Sequence, residues 1–140
     1  MQAAGCRAKM PTRAADQNRV YFADTNLILY SLDTRNPKKQ DRAAKWMDFL
    51  WKSGRGRLSW QVLNEFYFNA VRKTEVPRDE ARRAVVLLTN WKPSGVSMEL
   101  LERSWQWTDQ AQLSHWDAMI VASAERQGPA TLVAAGGSHP

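Results

Sequence analysis

The stretch RVYFADTNLILYSLD, Arg19 to Asp33, decides how this chain is read. Four residues suited to a buried strand, Val20, Tyr21, Phe22 and Ala23, run directly into the polar triplet Asp24-Thr25-Asn26. A second apolar run, Leu27-Ile28-Leu29-Tyr30, follows at once. An apolar strand that stops at an acid and restarts as a helix is a strand-to-helix corner. Open α/β sheets gather their ligands at such corners, outside the carboxyl ends of the strands. Asp24 therefore has two candidate roles. As an N-cap, its short carboxylate accepts hydrogen bonds from the unpaired amides of a helix beginning at Asn26. As a site residue, it brings charge to the mouth of the sheet.

Outward from this corner the pattern is mostly helical. After a Pro37-Lys38-Lys39 break, QDRAAKWMDFLWK places Ala43, Trp46, Met47, Leu50 and Trp51 at steps of three and four, the period of an amphipathic helix, which Gly54-Arg55-Gly56 ends. RLSW, residues 57–60, reads as a short second strand, and QVLNEFYFNAVRK sets Val62, Leu63, Phe66, Tyr67, Ala70 and Val71 at helical spacing. Pro77-Arg78-Asp79-Glu80 opens the helix ARRAVVLLTNW, with proline and acids in its first turn. Pro93-Ser94-Gly95 marks a turn, and Ser97 caps MELLERSWQW. LSHWDAMIVASAERQG is a further helix stopped by Gly128-Pro129, and ATLVAA is a final strand. The order strand, helix, helix, strand, four helices, strand predicts an α/β fold around a short parallel sheet.

With 140 residues, 44% of them hydrophobic, and seven Trp, the chain suffices for one domain with one core. No apolar run is long enough for a membrane span, and the N-terminus lacks the apolar centre of a secretory signal. These features predict no membrane association and a cytoplasmic location. Residues 1–18 read as a disordered leader, with Met10 as an alternative start, and Cys6, the lone cysteine, fits a reducing compartment. Charge is uneven: residues 1–57 hold 12 Lys/Arg against 5 Asp/Glu, and residues 58–140 hold 8 against 9. A basic half suits a polyanionic partner, with Lys38, Lys39, Arg42, Arg55 and Arg57 as candidate phosphate contacts. Trp46 and Trp51 fit a buried helical stripe, and Trp105 and Trp107 read as core or partner contacts.

Besides Asp24, two acids stand out. Glu65 lies between Leu63 and Phe66, at the edge of an apolar stripe rather than opposite it. Asp117 stands three residues after Ser114, the spacing of a capping box in which each side chain serves the other's backbone amide. Taken singly, each acid has a structural explanation. Jointly they follow strand one, lie on the helix after strand two, and open the helix before the last strand, which are points at one end of a parallel sheet. Carboxylates sharing a cleft repel one another and rise in pKa unless a cation neutralises them. Mg²⁺ or Mn²⁺ is the natural remedy, since hard divalent ions take oxygen ligands and the phosphates of a substrate. No Cys/His cluster offers a zinc site, and no glycine-rich phosphate loop is present.

The blocks YFADTNLILYSLD, SWQVLNEFYFNAVRK and LSHWDAMIVASA resemble the three acidic blocks of the PIN domain, and specifically of the VapC-like toxin ribonucleases of bacterial toxin–antitoxin pairs. The resemblance runs from about Val20 to Leu132 and implies a three-layer α/β/α sandwich over residues 19–133 that hydrolyses RNA phosphodiesters with Mg²⁺ or Mn²⁺. It implies Asp24, Glu65 and Asp117 as the catalytic acids, Asp24 and Asp117 as metal ligands, and Thr25 and Asn26 as supporting neighbours. Implied partners are an RNA substrate, a cognate antitoxin and a second copy of the chain. The end departs from the family pattern: a fourth acid is expected just after the strand ATLVAA, whereas the chain reads GGSHP and holds no acid after Glu125. Residues 134–140 thus read as an atypical tail, truncated or altered. The alternative to an active enzyme is a catalytically impaired module that binds RNA or antitoxin.

Overall fold

Strand β1, Val20–Ala23, has Tyr21, Phe22 and Ala23 buried and sits in the middle of the sheet. This is why its residues are apolar without alternation: both faces are covered. The computed structural model describes residues 19–128 and, as backbone, the strand 130–133. The leader 1–18 and the tail 134–140 lie outside the described residues. Strands β2, Gly56–Arg57, and β3, Ala130–Val133, flank β1 in the order β2-β1-β3. Both pair parallel to it, with Tyr21 opposite Gly56 and Phe22 opposite Leu132.

Among the described residues six α-helices connect and cover the strands, with a 3-10 turn at Thr89–Trp91: α1 Thr25–Leu32, α2 Pro37–Ser53, α3 Trp60–Lys73, α4 Arg78–Leu88, α5 Met98–Ala111 and α6 His115–Arg126. Their order is the one the sequence predicts. The connection from β1 to β2 moves one way across the sheet, and that from β2 to β3 passes back over β1. Right-handed crossovers in opposite directions place helices on opposite faces, giving the α/β/α sandwich, and open a crevice at the carboxyl end of β1.

Two boundaries differ from the sequence reading. Pro37-Lys38-Lys39 is no break but the first turn of α2, with Asn36 as N-cap accepting from the Lys39 amide at 3.2 Å. Proline at the first helical position sacrifices only an amide that has no helical partner. The strand reading of RLSW is too long: only Gly56 and Arg57 pair with β1, Ser59 caps α3 by accepting from the Val62 amide at 3.3 Å, and Trp60 is already helical. Gly56 is required where it stands, because the Trp91 ring lies 2.6 Å from the position a Cβ would take.

The main core joins β1 to α1, α2 and α3, with Phe22, Leu27, Ile28, Leu50, Leu58, Leu63 and Phe66 fully buried. Tyr21, Trp46 and Phe49 form an aromatic triangle with centroids 5.4, 5.9 and 6.0 Å apart. Such pairs add about 0.5–1.5 kcal/mol each beyond their burial. A smaller core of Leu100, Met119 and Ala122 holds α5 against α6. Trp46 is buried as predicted, whereas Trp51 is partly exposed against Trp91 at 5.2 Å and Trp105 is exposed. Among the described residues no helix is long and apolar enough to cross a membrane.

Candidate active site

Asp24 terminates β1 and occupies the N-cap position of α1 in extended backbone, where its carbonyl accepts from the Leu27 amide at 3.1 Å. Its carboxylate makes no capping hydrogen bond, which corrects the expectation that it caps the helix by its side chain. The next residue, Thr25, is buried, and its hydroxyl oxygen has no hydrogen-bond partner among the described residues. Asn26 follows, half-buried.

Glu65 is carried by α3, whose start is fixed by the Ser59 cap and whose inner face is pinned by Val62, Leu63 and Phe66. This pinning leaves Glu65 half-buried at the helix edge. Gln61, one turn earlier, donates through Nε2 to Glu65 Oε1 at 3.2 Å and to the Trp116 carbonyl at 3.1 Å. A single amide thereby ties α3 to the first turn of α6.

Asp117 lies in that first turn, exposed to solvent. Ser114 accepts from its amide at 3.1 Å, which is half of the predicted capping box. No return bond from the Asp117 carboxylate is made among the described residues. Ser114 alone caps the helix, and the acid is left to face outward.

The three acids meet electrostatically at Glu65. Burial pushes its carboxyl above the usual value, the charges of Asp24 and Asp117 push it the same way, and the Gln61 hydrogen bond offsets part of the rise. Glu65 and Asp117 share an open cleft of about 630 Å³ with Trp60, Gln61, Asn64, Asn69 and Trp116. Asp24 does not line this cleft and acts on Glu65 from the end of β1. Among the described residues the buried side-chain atoms without a partner are Thr25 Oγ1, Gln61 Oε1 and Ser94 Oγ. The first adjoins Asp24, the second belongs to the side chain that holds Glu65, and Ser94 bridges to Ser59 at the cap of α3. Buried unpaired polar atoms are rare in folded proteins; here two of the three belong to residues beside the acids, Thr25 next to Asp24 and Gln61 on Glu65.

Two other buried or half-buried acids, Glu125 and Asp33, are excluded by their partners. Glu125 receives Arg103 at 2.9 and 3.1 Å and the Trp107 indole N–H. Burial raises its carboxyl, but the hydrogen bonds from Arg103 and Trp107 and the Arg103 charge outweigh that and hold it below the usual range. It is therefore already satisfied within α5 and α6 and does not join the three acids. Asp33, only 4% exposed, is held low chiefly by its hydrogen bonds from Arg35 at 2.9 Å, against the opposing effect of burial. Of the candidate phosphate contacts, Arg55 precedes β2 at the opposite end of the sheet, stacked 4.9 Å over Phe49 and donating to the Arg19 carbonyl. Arg57 donates to the Gly54 and Gly56 carbonyls. Both are turned to backbone rather than to the acids.

The donor set of three carboxylates with no thiol or imidazole fits a hard divalent cation. Among the described residues no group of three Asp, Glu, His or Cys side chains lies close enough together to hold a metal ion. Mg²⁺ tolerates this, since it keeps several waters and binds through few carboxylates. Sequence reasoning overlooked Gln61. Gln61 was legible as the residue one helical turn before Glu65, on the same face.

Residues 21–136 match the PIN domain family, and the chain belongs to that family, whose members are nucleases. Its fold is similar to that of VapC20 of Mycobacterium tuberculosis, a sarcin-ricin loop cleaving toxin. The two are 20% identical, the match covers 77% of this chain and 83% of that one, and the TM-score is 0.59. No curated protein sequence matches the chain significantly.

Proposed function

We propose that this chain is an endoribonuclease dependent on Mg²⁺ or Mn²⁺, acting in the cytoplasm as the toxin of a toxin–antitoxin pair, with Asp24, Glu65 and Asp117 as its acids. The observation that carries the reading is that Asp24 and Asp117, from two other elements, both act on half-buried Glu65. Asp24 and Asp117 would hold the cation. When bound, it supplies charge neutralisation at the phosphate and makes a water more acidic. Glu65 takes the proton of the attacking water, a task suited to a carboxylate whose pKa is raised towards neutral. Gln61 keeps its carboxylate oriented, and Thr25 and Asn26 support Asp24. The groove of about 400 Å³ lined by Trp60, Leu63, Tyr67, Val85 and Val86 suits the apolar face of an antitoxin or a second copy.

The test is cleavage of RNA by the purified chain. Activity should require added Mg²⁺ or Mn²⁺, stop in EDTA, and fall at least a hundredfold in Asp24→Asn, in line with the roughly 10²–10⁴-fold contribution of a positioned catalytic group. RNA left intact by a folded protein that still binds it would favour the second reading, a silent binding module. That reading is supported by the engagement of Glu125 with Arg103 and Trp107, which keeps it apart from the three acids.

A further inference from the structure

Trp116 stands directly before Asp117, yet it is 62% exposed. Its backbone is not loose. The carbonyl receives Gln61, the same amide that holds Glu65, and the His115 ring meets its indole edge-on at 5.0 Å. Trp60, 45% exposed, lines the same cleft, as do the amide side chains of Asn64 and Asn69. Asn64 uses its Nδ2 on the Trp60 carbonyl at 3.1 Å, which leaves its Oδ1 as an acceptor. Asn69 has no hydrogen-bond partner among the described residues.

Large exposed aromatic rings in a cleft mark a ligand or a partner. Here the position decides between them. Trp116 and Asp117 are consecutive and share one cleft with Glu65, so any protein that covered the indole would also close off the acids. In the working state the ring's occupant is therefore part of the substrate. A flat indole beside two amides suits a nucleobase, and only an unpaired base offers its face. We propose that Trp116 is a stacking platform for an unpaired nucleobase next to the phosphate held at the acids, with Asn64 and Asn69 placed to meet its edge. This rests on the ribonuclease reading above.

The experiment is fluorescence anisotropy in EDTA, so that binding is read without cleavage. It uses the full chain, a labelled unpaired oligoribonucleotide, the same strand with an abasic residue walked through it, and a duplex of equal charge. Trp116→Ala should weaken binding of the unpaired strand about tenfold, the usual scale of one base–aromatic stack, and Trp116→Phe should stay within about threefold of wild type. Duplex binding should not change. At one position the abasic residue should cost wild type as much as Trp116→Ala does, and should cost the alanine variant nothing more. Trp105, 48% exposed on α5 and outside the cleft, serves as control, and Trp105→Ala should bind as wild type does. Equal losses for unpaired strand and duplex, or unchanged affinity in Trp116→Ala, overturn the proposal. So does a change of sedimentation from dimer to monomer with RNA affinity intact, which would make Trp116 a self-association contact. A wild-type chain that cuts RNA while Trp116→Ala binds normally refutes the platform alone. A wild-type chain that neither binds nor cuts RNA refutes the ribonuclease reading as well.

Discussion

Glu65 and Glu125 are the same residue type, both half-buried on helices, and burial is the largest influence on each. Yet their carboxyls move in opposite directions. Around Glu125 the fold supplies Arg103 and the Trp107 indole, which overcome the cost of burial and hold the group ionised. Around Glu65 it supplies two more acids and one neutral amide. The α5–α6 side of the molecule solves its charge problem internally, whereas the crevice at the end of β1 leaves one unsolved, together with buried polar atoms that lack partners. A protein tolerates such a region where something from outside completes it.

The largest expected effect separates the two regions by activity. Asp24→Asn, Glu65→Gln and Asp117→Asn should each lower RNA cleavage by about a hundredfold or more, while Glu125→Gln should stay within about threefold of wild type. Initial rates at saturating Mg²⁺, with circular dichroism as a check on folding, provide the comparison. If Glu125→Gln abolished cleavage without unfolding, the division into a chemical and a structural region would fail.

Stability should show the reverse order. Glu125→Gln loses the ion pair with Arg103 and should lower the thermal midpoint by a few degrees at pH 7. Because its folded-state pKa is depressed, wild-type stability from this group is present above the usual value of 4.5 and is lost as pH falls through the lower folded value. The gap between Glu125→Gln and wild type should therefore close only in strong acid.

A smaller effect of opposite sign is expected at Glu65. Its folded-state pKa is raised, so its favourable contribution is complete below 4.5 and is lost as pH rises through the folded value. The Glu65→Gln variant, neutral at every pH, should melt above wild type at pH 7 and match it below 4.5. Saturating Mn²⁺ should narrow the difference, because a cation beside the acids offsets the cost of the ionised Glu65 carboxylate, so the wild type gains more from binding than the Gln variant does. A Glu65→Gln variant less stable than wild type at pH 7 would show that Glu65 is internally compensated after all.

How much of this was legible in the sequence depends on the range of the interaction. β1, the six helices and their order follow from local periodicity and capping residues, and the three acids follow from where those elements end. Local signals also misled at their edges. Pro37 and Ser59 both act as helix starters, so the break expected at residues 37–39 is absent and the second strand stops at Arg57 instead of running to residue 60. What no local pattern carries is pairing across elements. Glu125 meets Arg103 across 22 residues, and Gln61 reaches the Trp116 carbonyl across 55. Whether an acid is neutralised or left in company with other acids is decided at that range. Asp24 illustrates the limit: its position predicts a capping bond, and its side chain makes none.

The smallest expected effect bears on the unpaired hydroxyl of Thr25. The group is buried, adjoins Asp24 and has no partner among the described residues. A buried hydroxyl left unbonded is a cost to the folded state, and replacing it by an apolar group of the same shape removes that cost. Thr25→Val should therefore be as stable as wild type or more so, by up to about 1 kcal/mol. If the hydroxyl finds its partner only when cation and RNA are in place, the same variant should cleave a few-fold more slowly, with the loss in kcat rather than in thermal stability. Denaturant unfolding and initial rates on one preparation give both quantities. A variant less stable than wild type would mean the hydroxyl is already bonded in the resting protein and belongs with Glu125 rather than with Glu65. Unchanged stability with unchanged kcat would remove Thr25 from the site and leave Asp24 supported by the fold of the corner alone.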